Sequence, residues 1–196
     1  KDNSFKAADL TAEQIRLSEN SQVLKFVSRA GLKLESAFLH LKLIPEGWRC
    51  LDVGQSTGGF SDFLLQNGAA AVLGADVGHG QLHDKIKNNP RVTSVEGLNV
   101  KDLSRDVKVR EWLGHGVDFC VMDLSFISLT LALPAVADVL PAGTQLLALV
   151  KPQYEAGPRT VTPELFNDVQ GRVLHAADIC GFSSMEYFSS AVKGQD

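Results

Sequence analysis

The chain has 196 residues, of which 44% are hydrophobic and 21% charged, and its net charge is −4. These values predict one globular domain with a sizeable core and argue against a self-sufficient nucleic-acid-binding module. The most apolar stretch, residues 129–150, contains two prolines, an aspartate and a glycine, which excludes a membrane span there. Three well-separated cysteines in apolar surroundings indicate a reduced, cytoplasmic protein.

The first predicted element is a helix in SRAGLKLESAFLHLKL, where Leu32, Leu39 and Leu43 follow helical spacing. Arg29 and Lys33 are four residues apart, so their side chains share one face if the helix begins before Arg29. The mixed polar residues before this segment predict no element of their own.

Short apolar runs then alternate with helix-length segments, which predicts an α/β fold with a mostly parallel sheet and helices on both faces. The predicted strands are WRCLDVG, AAVLGAD, RVTSVEG, VDFCVMD and QLLALVK, with a last strand in SSMEYFSS. The predicted helices are 59–67, 81–88, 104–113, 127–140 and 163–180, with Gly68 and Gly181 as stops. Asp76, Asp123 and Lys151 end three of the strands and are expected to share one crevice.

The turn after the first strand, in LDVGQSTGGF, is rich in glycine. Gly54, Gly58 and Gly59, with Ser56 between them, would let backbone N–H groups approach a nucleotide-like ligand. The spacing is not the dinucleotide fingerprint, because Gln55 and Ser56 occupy the place of its second glycine, and no Walker lysine follows. A turn that binds nothing is the alternative, since such loops also occur in sheets without ligands.

Two aspartates near this turn indicate which class of ligand it binds. Asp52 lies two residues before Gly54, where its charge would repel a diphosphate and favour a cationic ligand. Asp76 can accept hydrogen bonds from both hydroxyls of a ribose. A cationic ligand that carries a ribose is S-adenosylmethionine, which we therefore expect as the cofactor. Asn99 is a candidate contact on its adenine side, although an ordinary loop residue explains it as well.

Asp123 opens DLSFIS, beside the expected position of the methyl group, and two reactions compete there. Base-amino methyltransferases have an Asn or Asp followed by two prolines and an aromatic ring. Here Leu124 and Ser125 replace the prolines, and Phe126 keeps the ring. Methylation of a ribose hydroxyl instead needs a base and nearby positive charge, because the hydroxyl must lose its proton as it attacks.

Lys151 is the candidate base, because burial and a second cation such as Lys33 would favour its neutral amine. A lysine that extends into solvent is the alternative at both positions. Glu155, a few residues further on, is either a substrate contact or part of a solvated loop. His79 and His83 are four residues apart, but no third ligand is spaced to join them, so no metal is expected.

Taken together, these motifs resemble the TlyA or haemolysin A family of FtsJ-like ribosomal RNA methyltransferases. Six segments follow that family's order: SRAGLKL, LDVGQSTGGF, DVGHGQL, PRV, DLSFIS and LVKPQYEAG. The resemblance implies the class I S-adenosylmethionine-dependent methyltransferase fold, which is Rossmann-like. It also implies methylation of a ribose 2′-hydroxyl, on a cytidine, in ribosomal RNA or ribosomal subunits.

The FtsJ-like enzymes use a Lys-Asp-Lys-Glu set, and the resemblance carries its first three members onto Lys33, Asp123 and Lys151. The glutamate is expected beyond residue 196, since Glu186 precedes the turn that leads to it. A binding module without turnover stays open as an alternative for this reason.

The resemblance further implies that residues 1–25 are the end of an S4-like RNA-binding domain and a linker. Residues 26–196 are then a methyltransferase domain, truncated before its last strand. The haemolysin name predicts membrane disruption, but the sequence contains neither an amphipathic basic helix nor a hydrophobic hairpin for it.

Overall fold

A computed structural model describes residues 25–156 and 162–192, which surround one five-stranded sheet. The strands are β1 Arg49–Val53, β2 Ala71–Asp76, β3 Val92–Glu96, β4 Phe119–Met122 and β5 Gln145–Ala148. Their spatial order is β3-β2-β1-β4-β5, and every neighbouring pair is parallel. The order in which successive strands are added reverses between β1 and β4, and open α/β sheets bind ligands at such a switch point.

Helices cover both faces of the sheet, and several begin at a residue whose side chain caps them. They are α1 Ala30–Leu41, α2 Gly59–Gln66, α3 Asp84–Lys87, α4 Val107–Leu113, α5 Leu129–Ala137, α6 Pro152–Glu155 and α7 Pro163–Ile179, with a 3₁₀ turn at Val100–Arg105. Asp106, Ser128 and Thr162 each accept a hydrogen bond from a backbone N–H of the first turn of α4, α5 and α7.

The core has two halves, one on each face of the sheet. Leu51 and Val53 of β1 pack with apolar residues of α4, α5 and α7, while Cys50 packs with α1, α2 and α3. Successive side chains of a strand alternate between faces, so Asp52 lies on the same face as Cys50, beneath α2. A carboxylate therefore sits within the apolar layer that supports the glycine-rich turn.

All five predicted core strands are present, but the predicted strand in SSMEYFSS is wrong. Residues 183–190 are irregular and are held by side chains instead of a strand ladder. Glu186 accepts a hydrogen bond of 2.9 Å from His40 Nε2 of α1, and the centroid of the Phe188 ring lies 4.3 Å from that of the His40 ring. Tyr187 packs edge-on against Phe166 of α7.

Three helix predictions need correction at their ends. The helix predicted at 81–88 is only one turn, because Gln81 is drawn into a loop by a hydrogen bond from Ser56 Oγ. The helix predicted at 104–113 is divided at Asp106, which ends the 3₁₀ turn and caps α4. The helix predicted at 127–140 is shorter at both ends. Gly68 and Gly181 have positive φ, as expected of helix stops.

The first helix also differs from its prediction. It begins at Ala30, so Arg29 is its N-cap. Its fully buried side chains are Leu34 and Phe38, whereas Leu39 is 74% exposed. The leucine spacing was therefore wrong at Leu39 only: Leu32 and Leu43 are partly buried at the edge of the core, and its centre against β1 and α2 is filled by Leu34 and Phe38.

Candidate active site

The glycine-rich turn after β1 is shaped by the close approach of other chain segments. Gly54 has φ 88°, and a Cβ there would lie 2.6 Å from the carbonyl oxygen of Asp123. Gly59 begins α2, and a Cβ there would overlap the Ser28 hydroxyl. Gly58 has φ 91° and caps the helix. These glycines bring the segments that carry Asp123 and Ser28 against the start of α2.

Asp52 is fully buried next to this turn, and its Oδ2 accepts a hydrogen bond of 2.7 Å from Ser61 Oγ. Its Oδ1 and the Ser28 hydroxyl are buried without a hydrogen-bond partner among the described residues. Burial raises the pKa of Asp52 to about 7, with smaller contributions from the charges of Asp123 and Asp76. Buried polar atoms without partners fit a ligand that brings a cationic donor.

Asp76 joins the glycine-rich turn to the loop after β2. Its two oxygens accept hydrogen bonds of 2.7 Å from the backbone N–H groups of Ser56 and Gly78. Ser56 has φ 48°, a left-handed conformation that costs energy in a residue with a side chain. The carboxylate therefore stabilises the strained point of the turn, and its contact with a ribose stays a prediction.

Lys33, Asp123 and Lys151 come together from α1, the end of β4 and the N-cap of α6. Lys151 Nζ lies 2.6 Å from Asp123 Oδ1, and Lys33 Nζ lies 3.8 Å from Asp123 Oδ2. Lys151 Nζ also donates a hydrogen bond of 2.9 Å to Ser125 Oγ. The three charged side chains are between 14% and 21% exposed, so both lysines are mostly buried in ion pairs. Two cations around one carboxylate leave a net positive charge here.

An aromatic pair stands beside the cluster. The Phe126 side chain is 89% exposed, its backbone has φ 65°, and its ring centroid lies 5.3 Å from that of Tyr154. The Lys151 ammonium lies 5.9 Å from the centroid of the Tyr154 ring. Sequence reasoning missed Tyr154, although an aromatic residue three positions after Lys151, within the single turn of α6, was a usable signal.

A groove of about 560 Å³ opens onto the cluster along β5. Its lining mixes charged and aromatic side chains: Lys33, Phe60, Lys151, Tyr154, Phe166 and Tyr187. The groove gives solvent access to the two lysines from the side of the sheet opposite β2 and Asp76.

Two further candidates have structural roles. Glu155 is buried and accepts hydrogen bonds from Ser128 Oγ and, at 2.7 Å, from Leu129 N, so it fixes the start of α5 and is not part of a solvated loop. Asn99 caps the 3₁₀ turn by accepting a hydrogen bond from Lys101 N. Its proposed contact with the adenine stays a prediction.

The remaining expectations concern metal ions, membrane spans and the start of the chain. Within residues 25–156 and 162–192, no group of three metal-ligating side chains is present, and His83 Nδ1 instead accepts a hydrogen bond from Lys85 N. In the same ranges, no helix has the length and apolarity needed to cross a bilayer. The predicted S4-like segment and linker, residues 1–25, lie outside the described residues except for Lys25.

Comparison with known proteins gives a consistent result. The model of the FtsJ-like methyltransferase family matches residues 26–195. The 16S/23S rRNA (cytidine-2′-O)-methyltransferase TlyA of Mycobacterium tuberculosis is 44% identical over 138 residues, which are 70% of this chain and 50% of that protein. The chain therefore spans about half the length of this curated relative.

Solved structures agree on the fold. The structure described as "Putative hemolysin from Streptococcus thermophilus" is 38% identical, with a TM-score of 0.78 over 91% of this chain and 65% of that chain. An S-adenosylmethionine-dependent methyltransferase from Mesorhizobium loti has a TM-score of 0.53 at 18% identity, covering 75% and 80%. The second likeness bears on the fold alone, which is that of class I methyltransferases.

Proposed function

Since the chain belongs to the FtsJ-like methyltransferase family, we propose that it transfers a methyl group from S-adenosylmethionine to a ribose 2′-hydroxyl of ribosomal RNA. The family and the class I fold assign S-adenosyl-L-methionine as the cofactor. The observation that carries the choice of a hydroxyl is the cluster of Lys33, Asp123 and Lys151, because a poor oxygen nucleophile needs a base and nearby positive charge.

The residues at the β1 and β2 strand ends fit this cofactor. The unpartnered Asp52 Oδ1 and Ser28 hydroxyl offer contacts for the charged methionine end. Gly54, Ser56, Gly58 and Gly59 shape the turn, Asp76 accepts from the ribose hydroxyls, and Asn99 borders the adenine. When bound, the cofactor supplies an electrophilic methyl group on a sulfonium.

Each of the three residues in the cluster has a separate role in the reaction of the substrate hydroxyl. Lys151 acts as the base. Once its ammonium has released a proton to solvent, the amine takes the proton that the 2′-oxygen loses as this oxygen bonds to the methyl carbon and the bond between that carbon and sulfur breaks. Asp123, 2.6 Å away, orients the Lys151 side chain. Lys33, at 3.8 Å from the other carboxylate oxygen, offsets the charge of Asp123 and stabilises the negative charge that develops on the attacking oxygen.

The substrate class follows from the names of the relatives. TlyA of Mycobacterium tuberculosis is named as a methyltransferase of 16S/23S rRNA cytidines, and we extend a cytidine of ribosomal RNA, in free form or in ribosomal subunits, to this chain. Such a substrate implies a cytoplasmic site of action. The net charge of −4 suits a chain whose RNA affinity resides partly in a preceding S4-like domain.

One alternative has a specific observation in its favour. The exposed Phe126 ring, paired with Tyr154, is suited to stacking a base, as a base-amino methyltransferase requires. The Asp123 carboxylate favours the first reading, because its two oxygens lie 2.6 Å and 3.8 Å from lysine ammonium groups, and methylation of a base amine does not require these two cations. Stacking on Phe126 is equally useful for holding the nucleotide whose ribose reacts.

The test locates the methyl group. Ribosomal RNA is incubated with the protein and methyl-labelled S-adenosylmethionine and then digested to nucleosides, which are identified by mass spectrometry. We expect label on the sugar of cytidine, and none with Asp123→Asn. Label on a base would support the alternative. Cofactor binding without any transfer would identify a module without turnover, and lysis of cells that persists in Asp123→Asn would support the haemolysin name.

A further inference from the structure

A buried chain of hydrogen bonds runs beneath the glycine-rich turn and ends on Asp52. Ser94 Oγ donates to Gln55 Oε1 at 2.6 Å, and Gln55 Nε2 donates to Ser61 Oγ at 2.9 Å. Ser61 Oγ in turn donates to Asp52 Oδ2 at 2.7 Å. Gln55, Ser61 and Asp52 are 4%, 0% and 0% exposed, so this chain is shielded from competing water.

We propose that Gln55, held by Ser94, is a positioning residue that keeps the Ser61 hydroxyl directed at Asp52, so that the carboxylate stays ionised and aimed at the cationic end of the cofactor. The inference rests on the proposed function, because it assumes that Asp52 meets the cofactor.

The polarity of the chain follows from the chemistry of its last member. An ionised carboxylate only accepts hydrogen bonds, so the single proton of Ser61 must point at Asp52. The Ser61 oxygen is then an acceptor and requires the amide nitrogen of Gln55. That choice turns Gln55 Oε1 toward Ser94, whose hydroxyl must donate. Each donor therefore supports the next one, and all of them stabilise the charged form of Asp52.

The sheet is built to admit Gln55. A Cβ at Gly74, in the middle of β2, would overlap the amide group of Gln55. The missing side chain lets the amide cross β2 and reach Ser94 on β3. The same fact explains why a long polar residue follows Gly54: the side chain of Gln55 points into the protein, and the ligand side of the turn is left to backbone groups.

The surroundings of Asp52 make such support necessary. Burial raises its pKa to about 7, and the nearby carboxylates Asp76 and Asp123 act in the same direction. The thiols of Cys50 and Cys120 have raised pKa values and bring no positive charge. On the helices above, the charged groups are engaged elsewhere: Lys33 with Asp123, and Asp62 with Lys85.

The first test follows the Asp52 carboxyl carbon by NMR during a pH titration of the ligand-free protein. We expect its midpoint to move to higher pH by about half to one unit in Gln55→Met and in Ser94→Ala, since each removes a donor that favours the ionised form. Thr144→Val is the matched control, because it removes another half-buried hydroxyl with one hydrogen bond, to Val117 O, far from Asp52. A midpoint that stays in place in Gln55→Met overturns the inference.

The second test measures S-adenosylmethionine affinity by calorimetry at two pH values. We expect Gln55→Met to bind about threefold to fivefold more weakly than the parent at pH 7, and within about twofold of it at pH 8.5, where Asp52 is ionised in both. A loss that is the same at both pH values indicates a merely structural role and overturns the inference. Absence of binding by the folded parent protein overturns the proposed function itself, which distinguishes the two failures.

Discussion

Asp123 is the residue on which the chemistry converges, because each of its carboxylate oxygens faces a different lysine. The shorter contact orients the Lys151 side chain. The longer contact places the Lys33 ammonium nearby without displacing Lys151 from Asp123. Gly54 allows this arrangement, since the backbone of Asp123 passes where a side chain at Gly54 would be. A catalytic cluster and a cofactor turn are thus joined through one close contact.

We expect Lys151→Ala to lower the rate of methyl transfer by about 10²–10⁴-fold, the range usual for loss of a general base. Affinity for S-adenosylmethionine should stay nearly unchanged, because Lys151 contacts Asp123 and Ser125 and does not contact the glycine-rich turn. Single-turnover assays and calorimetry on the same samples check both. Lys108→Ala, at an exposed site on α4, is the control, and a comparable loss of rate and affinity in Lys151→Ala would mean a structural role.

Gly54→Ala should destabilise the protein by about 2–4 kcal/mol, because a Cβ would add a clash to a left-handed conformation. Gly143→Ala separates the two causes: both glycines have φ 88°, but no atom lies within 4 Å of a Cβ at Gly143. We expect about 1 kcal/mol for Gly143→Ala. Urea unfolding of both variants provides the comparison, and equal losses would show that the approach of Asp123 is unimportant.

Among the elements, α6 is the one that sets the position of the base. It is a single turn whose N-cap is Lys151, and its last residue, Glu155, is bonded to the start of α5. Strands and the longer helices were predictable from sequence, because apolar periodicity and capping residues specify them locally. The role of Glu155 could not be predicted from sequence, because its hydrogen-bond partners Ser128 and Leu129 lie more than 20 residues away in the chain.

Replacement of Glu155 tests that link. Glu155→Ala leaves the Leu129 N–H without its partner and should cost about 1–3 kcal/mol of unfolding free energy. Methyl transfer should fall as well, because α6 loses its anchor. Glu155→Gln keeps an acceptor for Leu129 N and should recover most of both losses. Exposed Glu111→Ala serves as control for charge removal, and wild-type activity in Glu155→Ala would contradict the anchoring role.

For the whole molecule, burial of Asp52 couples stability to pH. The pKa of this group is raised from its ordinary value of 3.8 to about 7 in the folded protein. Between these values the unfolded chain releases the proton while the folded chain keeps it, so the free energy of unfolding falls as pH rises through this window. At and above pH 7 the folded protein holds a buried charge without its ligand.

Asp52→Asn removes that dependence. The free energy of unfolding of the parent should fall between pH 5 and pH 8, and that of the variant should not, so the difference should shift by about 2 kcal/mol in favour of the variant. The variant should also lose affinity for S-adenosylmethionine. Urea unfolding at the two pH values measures the gain. A stability difference that does not change with pH would show that Asp52 titrates normally.

Sequence reasoning predicted which residues meet at the ends of the strands, but not the contacts between neighbouring strands. It brought Lys33, Asp123 and Lys151 together, because residues at strand ends share an edge and the motifs resemble a known family. It did not find the bonding of Gln55 to Ser94 or the gap at Gly74, since such contacts arise only when three strands align in register. The predicted last strand failed for a related reason: its residues are occupied by contacts to α1 and α7.

Every catalytic role proposed for this chain presupposes cofactor binding at the glycine-rich turn. Calorimetric titration with S-adenosylmethionine, on the protein and on Asp76→Ala, tests this most directly, with Asp168→Ala as a control whose carboxylate is paired with Arg172 on the surface of α7. We expect saturable binding at one site, weakened at least about tenfold in Asp76→Ala because the ribose contacts and the support of Ser56 are lost together. Equal binding by Asp76→Ala, or no binding by the folded parent protein, would contradict the assignment of this turn as the cofactor site.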